Sequence, residues 1–161
     1  MTLLESLITW IHLTSASIWV GGSIFIGIVL VPMLKTLANT IEERTALMIT
    51  IGKRFNKVAL PALMVLVATG LYKAHLFLAS PSTLLDSNYG IILAIKIIIV
   101  SSMITLFGMH VKISGYGNEK HVIKQDSRII RLRTRIIWLG RIIVAQSIVI
   151  LLFAALLDSG I

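Results

Sequence analysis

Three of the chain's four histidines, His12, His75 and His110, lie inside long apolar runs, as do Lys96 and Arg141. A Lys, Arg or Asp at the middle of a lipid-spanning helix costs roughly 2.5 to 3.5 kcal/mol on insertion scales, so ionisable residues at such depth are candidates for function. Neutral imidazole is a good ligand for copper, and a thioether suits the cuprous ion. His12 and His75 with Met64 therefore make one candidate metal site. Imidazoles from facing helices also suit the axial positions of a b-type haem. For that cofactor His12 and His75 are the candidate binding histidines, Gly21 and Gly22 leave room for the macrocycle, and Tyr72, Lys73 or Lys96 can meet its propionates. The chain has no cysteine, which removes disulfides, thiolate metal sites and iron-sulfur clusters. It offers no nucleophile-base-acid constellation and no phosphate-binding loop, so hydrolase and kinase chemistry are set aside.

The elements that position these groups follow from composition. Hydrophobic residues make up 57% of the 161 residues and charged residues 14%, with a mean hydropathy of +0.94. That is the composition of a membrane protein. Four apolar stretches, Ser6 to Val31, Val58 to Ala79, Gly90 to Val111 and Ile136 to Leu157, are each long enough to cross a hydrocarbon layer ~30 Å thick, which takes about 20 helical residues. An open sheet leaves edge amides unsatisfied in lipid, so the spans are helices. The expected fold is all-α, a single four-helix transmembrane bundle over residues 1–161. The first run has no basic residue ahead of it and exceeds a signal-peptide core, so it reads as a retained helix with the mature chain starting at Met1.

Basic residues set the expected orientation. Lys35, Arg44, Lys53, Arg54 and Lys57 surround the first connection; Lys112, Lys120, Lys124, Arg128, Arg131, Arg133 and Arg135 fill the third. The opposite side carries Glu5, Asp86 and Asp158, with Lys73 as its flanking base. The positive-inside rule then puts both termini outside and both basic loops in the cytoplasm, in a cell inner or plasma membrane. The formal charge of +8 lies beside the spans, where anionic headgroups account for it and nucleic acid is not needed.

On this topology His12, His75 and Lys96 share the outer half of the membrane, and His110 closes helix three at the inner end beside Trp138 and Arg141 of helix four. Residues three, four or seven apart line one helix face. His12 thus aligns with Ser15 and Trp19 and nearly with Gly22; Met64, Ala68, Leu71 and His75 form a second stripe; Tyr89, Lys96, Met103 and His110 form a third. The expectation is that these stripes face the bundle interior, with Ser15, Ala16, Gly21 and Gly22 permitting close helix contact. Trp10 and Trp138 suit the membrane interface, and Trp19 suits the wall of an internal cavity.

Thr40 and Glu43 stand at capping-box spacing ahead of an apolar run, predicting a short helix along the membrane surface in the first basic loop. "ASPSTLLDSNYG" is turn-rich and predicts a compact link between helices two and three. "RIIRLRTR" reads as an extension of helix four whose arginines reach phosphates.

Taken together, "WIHLTSASIWVGG", the Arg54-Phe55 pair, "TGLY" at Thr69 to Tyr72, and "YGIILAIKIIIV" from Tyr89 to Val100 resemble the copper-resistance D (CopD-like) membrane domain. The same framework is similar to the HemJ-type protoporphyrinogen oxidases: their helix-one histidine, following proline, basic-apolar-proline start of helix two and helix-three lysine have counterparts in His12, Pro32, "KRFNKVALPA" and Lys96. The resemblance implies a four-helix unit tied either to copper passage across the inner membrane or to a bound b-type haem and porphyrin oxidation. It carries over His12 and Lys96 as functional positions, and His110 falls where the HemJ-like pattern has a histidine. His75 has no counterpart in that pattern. Four spans with little extramembrane mass also suit a non-catalytic subunit of a larger membrane complex.

Overall fold

The computed structural model describes residues 2–78, 87–116 and 127–159. Among them the regular structure is helical throughout and forms four long helices. Each is long and apolar enough to cross a membrane, and much of the exposed surface is aliphatic, as at Leu3, Ile28, Met64 and Ile98. A surface of that kind belongs in lipid.

Helix α1 spans Leu3–Leu37. Thr2 and Glu5 start it with a reciprocal capping box, the Glu5 carboxylate accepting from the Thr2 amide at 2.8 Å and the Thr2 hydroxyl accepting from the Glu5 amide at 3.3 Å. Two π turns, Ser17–Gly21 and Ile26–Leu30, interrupt its α-helical winding. The second stands directly ahead of Pro32, and there the Val31 amide donates five residues back, to Ile26. Proline has no N–H to give and its ring crowds the preceding turn, and the widened turn takes up that misfit.

Helix α2 covers Ile41–Leu78 without a break. Its start is the one the sequence predicts: the Thr40 hydroxyl accepts from the Glu43 amide at 3.1 Å, although the Glu43 carboxylate reaches the Asn39 amide rather than that of Thr40. Arg44 Nε donates to the Ala38 carbonyl at 2.9 Å and fastens the turn between α1 and α2. The expected short surface helix is not a separate element. Between Thr50 and Val58 the chain has no proline and a single glycine, Gly52, so the capped turn winds straight on into the second span.

Helix α3 runs Asn88–Tyr116 and α4 runs Ser127–Asp158. The start at Ser127 makes the basic "RIIRLRTR" run the first turns of α4, as its sequence predicts. The turn-rich link at 79–86 and the third connection at 117–126 lie outside the described residues. The expected spans sit within the four helices except for Ala79, which lies outside the described residues, and the helices run further because hydropathy marks lipid depth, whereas helix winding ends only at a breaker or cap.

The helices alternate in direction. Thr9 pairs with Lys73 and His12 with Thr69 across α1 and α2; Ser102 meets Gln146 while His110 faces Gly140 across α3 and α4; Trp19 meets Ser147 while Gly27 faces Val144 across α1 and α4. One end therefore gathers the start of α1 and the end of α4, and the other the turn between α1 and α2 with the end of α3 and the start of α4. The core is a layer at mid-bundle made of Trp19, Val20, Ala59, Leu63, Met103, Phe107 and Ile143. Residues four apart on α2 and α3 meet there one turn above the other. Trp19 stands edge-on to Phe107 with centroids 4.7 Å apart. Its indole N–H donates to Ser147 Oγ at 3.1 Å, and Ser147 passes its own proton to the Ile143 carbonyl at 2.8 Å. Lipid gives helices no hydrophobic reason to associate, so packing and such buried hydrogen bonds hold the bundle.

Candidate functional site

At the terminal end, α1 and α2 bring His12 and Thr69 together. His12 Nδ1 lies 2.7 Å from Thr69 Oγ1. The threonine hydroxyl has one proton, and it is directed to the backbone carbonyls of Val65 at 2.7 Å and Leu66 at 3.2 Å. Thr69 therefore accepts from His12, which assigns the His12 proton to Nδ1 and leaves the Nε2 lone pair free. An imidazole held this way by a neighbour is set up as a ligand through its other nitrogen. Gly70, the next residue, gives the ring its space: a Cβ there would stand 3.6 Å from His12 Cε1. Lys96 and Lys73 are the cations whose charge reaches the His12 ring, and Lys73 Nζ also donates to Thr9 at 3.2 Å.

A cavity of about 520 Å³ opens toward the basic-loop end. Trp19, Phe107 and Ile143 close its deep side, and Lys35, His110 and Arg141 stand along it. His110 is largely buried, and among the described residues its Nδ1 has no hydrogen-bond partner. A buried lone pair without a donor is better tolerated than a buried N–H without an acceptor, so the favoured tautomer carries its proton on Nε2. His12 and His110 thus favour opposite tautomers, His12 with a free Nε2 lone pair and His110 with an Nε2–H donor. Arg141 lies over the Trp138 ring, 5.8 Å from its centroid.

The family model described as Copper resistance protein D matches residues 49–157, most of the chain. The chain belongs to the copper resistance protein D family. Comparisons with curated proteins and with solved structures found no match. The match begins about two turns into α2 and so contains Thr69, Lys96 and His110, while His12 lies on the helix ahead of it.

Within this CopD bundle the predicted site residues separate into three places. His12 and Lys96 share the terminal end, and His110 lines the cavity at the other end. His75 and Met64 lie on the outward face of α2: both are exposed, Met64 by 66%. His75 Nδ1 donates to the carbonyl of Tyr72 on its own helix. Met64 lines a separate apolar groove with Leu60, Leu71 and Ile104. The stripe of Met64, Ala68, Leu71 and His75 thus turns outward, and α2 buries Ala59, Ala62, Leu63 and Ala74 in its place. The other two stripes do turn inward, with Ser15, Trp19 and Met103 buried. Among the described residues no group of three or more His, Cys, Asp or Glu is arranged to hold a metal ion.

The space above Gly22 is occupied and that above Gly21 is open. A Cβ on Gly22 would collide with the Phe55 ring at Cε2, whereas one on Gly21 meets nothing within 4 Å. The Arg54-Phe55 motif therefore supplies the ring that closes over the second glycine. Thr69 and Ser147 are the polar partners that residue-by-residue reading misses. Both are hydroxyls inside apolar spans, and hydroxyls there are common enough to carry no signal until their partners are known.

Proposed function

We propose that this protein handles copper in the membrane, with the cuprous ion as passing cargo at His12. The observation that carries the reading is the His12–Thr69 hydrogen bond, which leaves a neutral imidazole nitrogen unoccupied at membrane depth in a member of the copper resistance protein D family. One imidazole is a way-station rather than a cage, and the cations Lys96 and Lys73 nearby favour release of a cation over its storage. Both termini face outward in this reading and the basic loops meet anionic headgroups at the cytoplasmic face of the inner membrane. Metal analysis of the purified protein and copper accumulation in cells test it. Bound or transported copper that is lost in His12→Ala supports the reading; no copper in either assay ends it.

The same two cations favour a second reading, a b-type haem with His12 as one axial ligand and Lys73 or Lys96 beside its propionates. The residues fit this group only in part, because Phe55 fills the space above Gly22 and His75 lies exposed. A Soret band that disappears in His12→Ala supports haem, and a colourless preparation from haem-replete cells excludes it.

A further inference from the structure

We propose that the cavity at the basic-loop end is a binding site for a single-chain amphipathic carboxylic acid taken from the bilayer. The inference is independent of the copper reading, since His12 does not line this cavity.

The volume of about 520 Å³ lies in the range that encloses one small organic ligand. Its chemistry is polarised along the bundle. Trp19, Phe107, Ile143 and Ile148 make the deep part apolar, while Lys35 and Arg141 supply two cations. Among the described residues that line it there is no Asp or Glu, so those two cations meet no carboxylate there and an anionic head is their complement. Lys35 and Arg141 are both exposed side chains, with long stems able to bring their charge to a headgroup. His110 adds a neutral donor through Nε2 in the tautomer favoured by an Nδ1 that has no partner among the described residues. An apolar body under a fixed anion is the form of a fatty acid, and one chain rather than the two of a phospholipid suits the volume.

Gly52 gives direct access to the test. It lines the cavity, yet a Cβ at Gly52 meets nothing within 4 Å, so a larger side chain can leave the backbone there without a clash at its first atom. The probe is a naturally fluorescent polyene fatty acid, titrated into protein in neutral maltoside micelles with empty micelles subtracted and its uncharged methyl ester run in parallel. Saturable binding of the acid, about tenfold tighter than the ester as a charge-assisted contact would give, is the expected result. Gly52→Leu abolishes binding of both. Lys35→Gln with Arg141→Gln brings the acid down to the affinity of the ester and leaves the ester unchanged. Equal binding of acid and ester by the native protein overturns the proposal without recourse to any variant. So does Gly52→Leu that elutes and melts like the native protein and still binds, or displacement of the probe by a lysophosphatidic acid but not by unlabelled fatty acid.

Discussion

Thr69 receives the Nδ1 proton of His12 across 2.7 Å while giving its own proton to the carbonyl of Val65. The pair links the first helix to the second and fixes which imidazole nitrogen is available. Replacing Thr69 by Val keeps the shape and removes the acceptor. Loss of a partner for a partly buried donor costs about 1 kcal/mol, at the low end of the usual range, visible as a lower melting temperature in detergent. If His12 binds a metal through Nε2, affinity drops about 10- to 100-fold as for other supporting contacts, and Thr69→Ser restores it.

The Gly22–Phe55 contact makes an asymmetric prediction for two adjacent glycines. Gly22→Ala drives its methyl into the Phe55 ring and destabilises the bundle by about 1 to 3 kcal/mol as overpacking does. Gly21→Ala meets open space and leaves the melting temperature unchanged or slightly raised. Phe55→Leu rescues Gly22→Ala in a double-mutant cycle if the ring is the obstacle.

Ser147→Ala leaves the Trp19 indole N–H without an acceptor in the most buried layer of the protein. A cost of about 1 to 3 kcal/mol follows, read by thermal unfolding. Trp19→Phe removes the donor together with the need for it, and Ser147 keeps its bond to the Ile143 carbonyl. Its loss is then mainly that of packing against Phe107.

His75 is exposed and satisfied by its own helix. His75→Ala therefore changes stability by less than about 0.5 kcal/mol and leaves copper accumulation and any Soret absorption as they are. A strong effect on either would return His75 to the binding site.

Orientation is directly testable because the native chain has no cysteine to confuse thiol labelling. A membrane-impermeant maleimide applied to intact cells modifies Ser159→Cys and spares Thr40→Cys until the cells are opened. The reverse pattern inverts the bundle.

Sequence reveals much of this fold through one property, the length of its apolar runs, and much of its interior through the phase of His12, Ser15 and Trp19 on a single helix. It does less well where phase alone is ambiguous. Met64, Ala68, Leu71 and His75 fall on one line of α2, but a helix that is apolar all round offers no sign of which line is inside. Packing chose the small residues Ala59, Ala62 and Ala74, which let α2 approach its neighbours closely. The long polar stretch before Val58 hid the continuity of α2, because "EERTALMITIGKRFNK" loses hydropathy without losing helix propensity. The roles of Thr69 and Ser147 depend on residues 57 and 128 positions away, and no local pattern announces such a partner.

The unbroken length of α2 gives the molecule a mechanical property. Its 38 residues extend about 57 Å at ~1.5 Å per residue, nearly twice the ~30 Å thickness of the hydrocarbon layer. The helix is therefore one rod joining the two ends of the bundle, with Arg44 holding the Ala38 carbonyl near its basic end and Thr69 carried toward the other. Only at Pro61 is a rung of its hydrogen bonding missing, so the spacing between the turn that Arg44 fastens and the hydroxyl that steadies His12 is set by a single element.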